Sequence, residues 1–245
     1  MASAPKQRRR ISKDLPPEFS ELMDKLSKDG ASFIKETDAR EPTMRRIVAE
    51  LKRISRDLAA TQEAFDQGKR AQAEAAHQAA WFTLGMSYVV AAPFVAYTNI
   101  SKSRAEAESA NKVEKLGKEF QQEVEPLKKI LEEIQTTCER LEQEFTERQA
   151  KHTLRDMEEF QEILRRVSAL KKRSEGAVDV VTAVFHMFRN MLFFIVNVFR
   201  FSPTPEDDRK LRESIRESAD QSQRVVDEFD QMKKELTSFI DPQRQ

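Results

Sequence analysis

Apolar residues recur at helical spacing along most of this chain, with charge filling the positions between them. Two windows break that rule by being apolar nearly throughout. From Ala75 to Ser101 there are 27 consecutive positions without a formal charge. A second apolar window, Val178 to Phe201, is interrupted by a few polar residues. The pattern predicts an all-α protein, an elongated bundle of amphipathic helices enclosing two strongly apolar helices.

Taken in order, Pro16-Pro17 can start a helix whose apolar face is Phe19, Leu22, Met23, Leu26, Phe33 and Ile34. Asp38 to Thr43 contains Pro42 and is read as a break. Met44, Ile47, Val48, Leu51, Ile54, Leu58 and Phe65 mark the next helix, expected to run on past Trp81 with Gly68 as a weak point. Ala79 to Tyr97 would span about 28 Å as a helix, near the ~30 Å of bilayer hydrocarbon. Trp81 and Tyr97 stand where interfacial aromatics would sit, whereas abundant Ala with Thr83, Ser87 and Pro93 dilutes the run. Constitutive spanning, burial in a soluble bundle until triggered, and a permanent core helix all fit this window.

Beyond Ser101, the residues Val113, Leu116, Phe120, Val124, Leu127, Leu131, Ile134, Cys138, Leu141 and Phe145 form a heptad-like seam, irregular at Phe120–Val124. Pro126 falls inside it and is expected to kink or restart the helix. Leu154, Met157, Phe160, Ile163, Leu164, Val167 and Leu170 continue on one face after a turn near 148–153, giving a helical hairpin over about 103–173. Lys171-Lys172-Arg173 and Gly176 read as that helix's end. An apolar helix over about 177–201 comes next. On a 100° wheel its Asp179, Thr182, His186, Arg189, Asn190, Asn197 and Arg200 make one thin polar stripe, into which Phe193 intrudes. In a soluble bundle the stripe faces outward; in a membrane it would face a partner helix or water. Thr204 as N-cap, Pro205 and three acids then specify a last helix over about 205–239. Its face is Leu211, Ile215, Ala219, Val225, Val226, Phe229, Met232, Leu236 and Phe239. Residues 16–240 are read as one domain, apolar helices at about 78–100 and 177–201 included, behind a disordered basic tail at 1–15.

Composition narrows the function. Lys+Arg and Asp+Glu both number 42, so charge gives no reason to expect nucleic acid. Five Gly and two Tyr argue against a sheet. A basic start with no apolar run behind it is not a cleavable signal peptide, and Ala2 removes N-myristoylation. The single Cys138 forms no internal disulfide, which fits a reducing compartment; with the two apolar windows the chain is read as intracellular, cytoplasmic and membrane-associated. His77, His152 and His186 are far apart and no metal-spaced set occurs. With no phosphate loop and no nucleophile motif, neither cofactor, metal nor catalytic residue is expected, and the chain is read as no enzyme.

The order of parts, a charged helix, an apolar insert, a helical hairpin, a second apolar helix and a final charged helix, resembles the apolipoprotein L family. The resemblance is carried by Ala91-Ala92-Pro93-Phe94, Asn99-Ile100-Ser101, Val124-Glu125-Pro126-Leu127, Leu192-Phe193-Phe194-Ile195 and Lys210-Leu211-Arg212-Glu213-Ser214-Ile215-Arg216, over roughly residues 44 to 240. It implies a lipid-binding, membrane-active protein, in a family associated with lipid transport, ion conductance and lysis of microbial membranes in innate defence. Some members of that family are secreted. The family's first insert is usually a glycine-rich apolar hairpin; here it has only Gly85 and room for one pass, which argues against channel formation more than against lipid binding.

The expected partners are therefore membrane lipids. The residues expected to enter the membrane are Trp81, Phe82, Leu84, Val89, Val90, Phe94 and Tyr97 in the first window, and Phe185, Phe188, Leu192, Phe193, Phe194, Ile195 and Phe199 in the second. A neutral acid enters hydrocarbon more cheaply than a charged one, so low pH acting on Asp179 and nearby carboxylates is expected to favour insertion. Two alternatives stand beside this reading. One is an intracellular coiled-coil scaffold whose seam at Val113–Phe145 pairs with a partner or a second copy. The other is a constitutive two-span membrane protein.

Overall fold

The structure, a computed structural model, describes residues 17–80, 91–150, 157–199 and 204–241, with side chains chiefly of 17–64, 108–147, 160–197 and 206–241. Four helices account for them: α1 (Pro17–Ala80), α2 (Ala91–Ala150), α3 (Met157–Phe194) and α4 (Pro205–Ile240). A π-helical turn, Ile195–Phe199, extends α3. No strand occurs among the described residues, and the protein is an all-α helical bundle. The basic tail at 1–15 lies outside the described residues.

A strict heptad seam explains how each helix finds its partners. In α2 the seam positions are Ala110, Val113, Gly117, Phe120, Val124, Leu127, Leu131, Ile134, Cys138, Leu141 and Phe145, alternating steps of three and four, with Leu116 and Thr137 buried beside them. The apparent irregularity at Phe120–Val124 disappears because Gly117 holds a seam position that no apolar side chain announces. In α3 the same alternation runs Ile163, Val167, Leu170, Ser174, Ala177, Val181, Val184, Phe188, Met191 and Ile195. In α4 it runs from Asp208 through Leu211, Ile215, Ser218, Ser222, Val225, Phe229, Met232 and Leu236 to Phe239. Steps averaging 3.5 residues keep one narrow face turned inward, as in a left-handed bundle.

Two expected breaks are absent. α1 continues through Pro42, because that proline is exposed and the Asp38 carbonyl it leaves without a donor is within reach of water. Its seam also continues there in polar form: Thr37 is buried, and Arg40 is half-buried with its guanidinium on Glu36 and on Glu123, 3.2 Å away. α2 likewise continues through Pro126. Nor does α3 end near Gly176, so the apolar stretch at 177–201 is the second half of a longer helix rather than a helix of its own. Ser174 holds the seam there, its Oγ donating 2.8 Å to the Leu131 carbonyl. Gly176 faces open space and terminates nothing. Gly176→Ala should therefore stabilise the protein by about 0.5–1 kcal/mol, read as a higher urea midpoint with an unchanged slope.

The chain divides into two compact units. The first, Met1–Met44, Gln122–Ala183 and Arg224–Gln245, takes one segment from each helix. Phe33 meets Phe229 edge-on, with ring centroids 5.7 Å apart, and Phe160 packs between Phe19 and Phe145. Ion pairs flank that core: Lys25 with Glu133, Lys171 with Glu142, Arg173 with Glu228, and Lys233 with Asp38. They join α1 to α2, α2 to α3, α3 to α4 and α4 to α1, so neighbouring helices run antiparallel around the bundle.

The second unit, Arg45–Gln121 and Val184–Gln223, repeats this arrangement. Phe188 packs on Phe120 with centroids 5.9 Å apart and lies over Gly117, where an added Cβ would come within 2.8 Å of its ring. Ser218 Oγ sits 3.4 Å from Met191 Sδ, Lys52 donates to Gln223, and Glu50 bridges to Lys112. Hydrogen bonds from Arg53 and then Lys112 hold the Glu50 carboxyl down from its ordinary 4.5 to about 2. A carboxyl whose value falls on folding stabilises fully above its unfolded value and ceases to do so as pH drops through the folded one. Glu50→Gln should thus lower the melting temperature at pH 7. That difference should shrink below about pH 4.5 and vanish near pH 2, which melts across that range would check.

Candidate functional site

Among the described residues one helix, Phe160–Asn197, is long and apolar enough to cross a membrane by length and composition. A core helix of a soluble protein meets the same two criteria, so burial distinguishes them. Only 28% of the residues in its apolar window are buried, which is less than a central core helix would show. Its apolar arc is wider than the seam that receives it.

The seam takes Val181, Val184, Phe188, Met191 and Ile195, each at most 3% exposed. Phe185, Leu192 and Phe194 fall beside it and are half-buried. Phe193 and Val196 fall on the far side, 67% and 40% exposed, and they are the large apolar residues left in solvent among those described. The bundle thus encloses the seam side of this apolar helix and leaves part of its far side in solvent. A bundle helix turns a seam inward, and a nearly all-round apolar helix cannot hide its other faces that way.

Of the polar stripe, Asp179, His186, Arg189, Asn190 and Asn197 are all exposed, while Arg200 lies outside the described residues. Arg189 Nη2 is 2.9 Å from His186 Nδ1. Asn197 Nδ2 donates 2.9 Å to the Phe193 carbonyl, at the point where α3 widens into the π turn. A π turn inserts one residue and rotates the helix face beyond it. His186, Arg189, Asn190, Phe193, Val196 and Asn197 thus share one outward face, two apolar side chains set among polar ones.

In the first apolar window, Trp81, Phe82, Leu84, Val89 and Val90 lie outside the described residues. Phe94 and Tyr97 belong to α2 and Phe199 to the π turn, but their side chains are likewise outside. The described side chains are therefore those of the second set, from Phe185 to Ile195 on α3 and its π turn.

The scope for other chemistry is narrow. No group of three His, Cys, Asp or Glu stands ready to hold a metal among the described residues. A cleft of about 490 Å³ between α3 and α4 is lined by Arg166, Lys172, Arg173, Glu235 and Phe239 among others. Its arginines are committed to the fold: Arg166 donates to the Ser238 and Phe239 carbonyls and stacks over the Phe239 ring, and Arg173 pairs with Glu228 and Glu235. Burial, with Glu142 nearby, pushes the Cys138 thiol up to about 12, which keeps it protonated and unreactive.

The apolar seam from Val113 to Phe145, considered as a docking strip for a partner, is filled by helices of the same chain. Its apolar residues are no more than 8% exposed. Sequence reasoning missed Gly117, Ser174, Ser218 and Ser222 as seam members. A scan for unbroken 3–4 alternation, blind to residue type, would have found them. No family model, curated protein or solved structure matches this chain.

Proposed function

We propose that this chain is a lipid-binding, membrane-active helical protein without enzymatic activity, cytoplasmic and membrane-associated, of the apolipoprotein L type. The observation that carries this reading is the excess of apolar surface on α3, with Phe193 67% exposed near the end of a helix of membrane-spanning length. Leaving a phenylalanine in water rather than burying it costs about 2 kcal/mol, and lipid contact recovers that energy. The helix lies inside the chain, bounded by the charged stretches of α2 and α4, which keep it soluble before lipid is met. Insertion then requires the seam residues Phe188 and Ile195 to exchange α2 and α4 for acyl chains.

Co-sedimentation of the full chain with liposomes at pH 7 and at pH 5 tests the reading, with binding expected; no binding at either pH overturns it. The single cysteine reports whether the bundle opens. Cys138 should resist thiol reagents in the free protein and react on vesicles if α3 leaves its seam. Glu50, held near 2, keeps its bridge at pH 5, so a gain of binding at that pH arises elsewhere in the molecule.

A further inference from the structure

We infer that the folded bundle first meets the membrane through the outward face of α3, and that the surface it recognises is anionic lipid. This rests on the lipid-binding reading and gives it a contact site that needs no opening of the bundle. Phe193 and Val196 are exposed and lie three residues apart, so they form one apolar step on the helix surface. Arg189, exposed, stands one turn before Phe193 on the same face, with Asn190 and Asn197 on either side.

Beyond Asp179 the charge on this helix is one-sided. From Val180 to Asn197 the sequence has no Asp or Glu, and its ionisable residues are His186 and Arg189. The flanks agree on one side. In α4, the positions that repeat every seven residues before Glu228, which pairs with Arg173 of α3, are Gln221 and Ser214, uncharged and half-buried. In α2, the corresponding positions before Glu142, which pairs with Lys171 of α3, include Gln121 and Glu114, and Glu114 is paired with Lys118. An apolar step beside an arginine, with the nearest acid on the same helix face, Asp179, about three turns before that arginine, matches the boundary between headgroups and acyl chains of an anionic leaflet. The ring enters the hydrocarbon edge, the guanidinium reaches the phosphates, and the amides stay at the water boundary.

The test uses the full chain and vesicles of phosphatidylcholine alone or with about a third phosphatidylserine. Wild type should prefer the anionic vesicles, and added salt should weaken that preference. Phe193→Ser should reduce binding at least tenfold with an unchanged thermal melt, because the ring is mostly in solvent before binding. Arg189→Gln should reduce binding about fivefold to the anionic vesicles and leave binding to the neutral ones unchanged. If wild type binds and Phe193→Ser binds equally well, the contact face is overturned while the lipid-binding reading survives. Equal affinity for both vesicle types overturns the anionic preference. No binding to either overturns both readings. A dimer in sedimentation velocity that Phe193→Ser dissociates, with no vesicle binding, would make the occupant a second copy of this chain and overturn the inference.

Discussion

Leu131→Asp should abolish folding of the unit that contains it. Leu131 is fully buried against the neighbouring α3, where Ser174 donates to its carbonyl. A carboxylate there would lose its water and gain no cation, a cost of several kcal/mol that adds to the lost packing. Single domains are stable by only about 5–15 kcal/mol. Loss of the cooperative urea transition in circular dichroism, against about 2–5 kcal/mol for Leu131→Ala, would check it. Loss of a protein complex in Leu131→Asp would then report unfolding rather than a lost coiled-coil contact, so a scaffold role has to be probed at exposed positions.

The second large effect centres on Phe188. Truncation to Ala should cost about 3–5 kcal/mol, since the ring is fully buried, packs on Phe120 and covers Gly117. Gly117→Ala should also destabilise, by about 1–3 kcal/mol, although alanine is the better helix former. The new Cβ would stand 2.8 Å from the Phe188 ring, and the overpacking exceeds the roughly 1 kcal/mol of propensity gained. In the double variant the methyl enters the space the ring vacated. The two losses should then fall short of their sum by about 0.5–3 kcal/mol, which a double-mutant cycle in urea would measure. Simple addition would mean that the two positions do not touch.

Helical class and the capped start of α4 were both legible, because each has a local cause. At the last of these, Thr204 Oγ1 accepts from the Asp207 amide, and Asp207 accepts in turn from the Thr204 amide and hydroxyl. Helix continuity was not legible. Thr37 and Arg40 carry the α1 seam across Pro42 in polar side chains, and Ser174 does the same ahead of Gly176 in α3. An apolar count reads such places as gaps, whereas the bundle needs only a side chain of the right size with its polar atoms met. The exposure of Phe193 was hidden for a related reason. A wheel drawn at 100° puts it among the stripe residues as an anomaly, and only the alternating seam shows that it lies off the face that packs on the other described helices. The first apolar window had the more unusual composition, yet its central residues lie outside the described part of the chain.

One glycine in each unit receives a large side chain from a facing helix: Gly30 meets Leu236 and Ile240, and Gly117 meets Phe188. Repetitive seams are prone to slippage, because moving a helix by seven residues matches apolar to apolar again. Here such a slide would press Phe188 onto Ala110 or Val124, where a Cβ already occupies the space. The two notches therefore act as index marks, selecting one axial alignment among several that would satisfy the oily stripe alone.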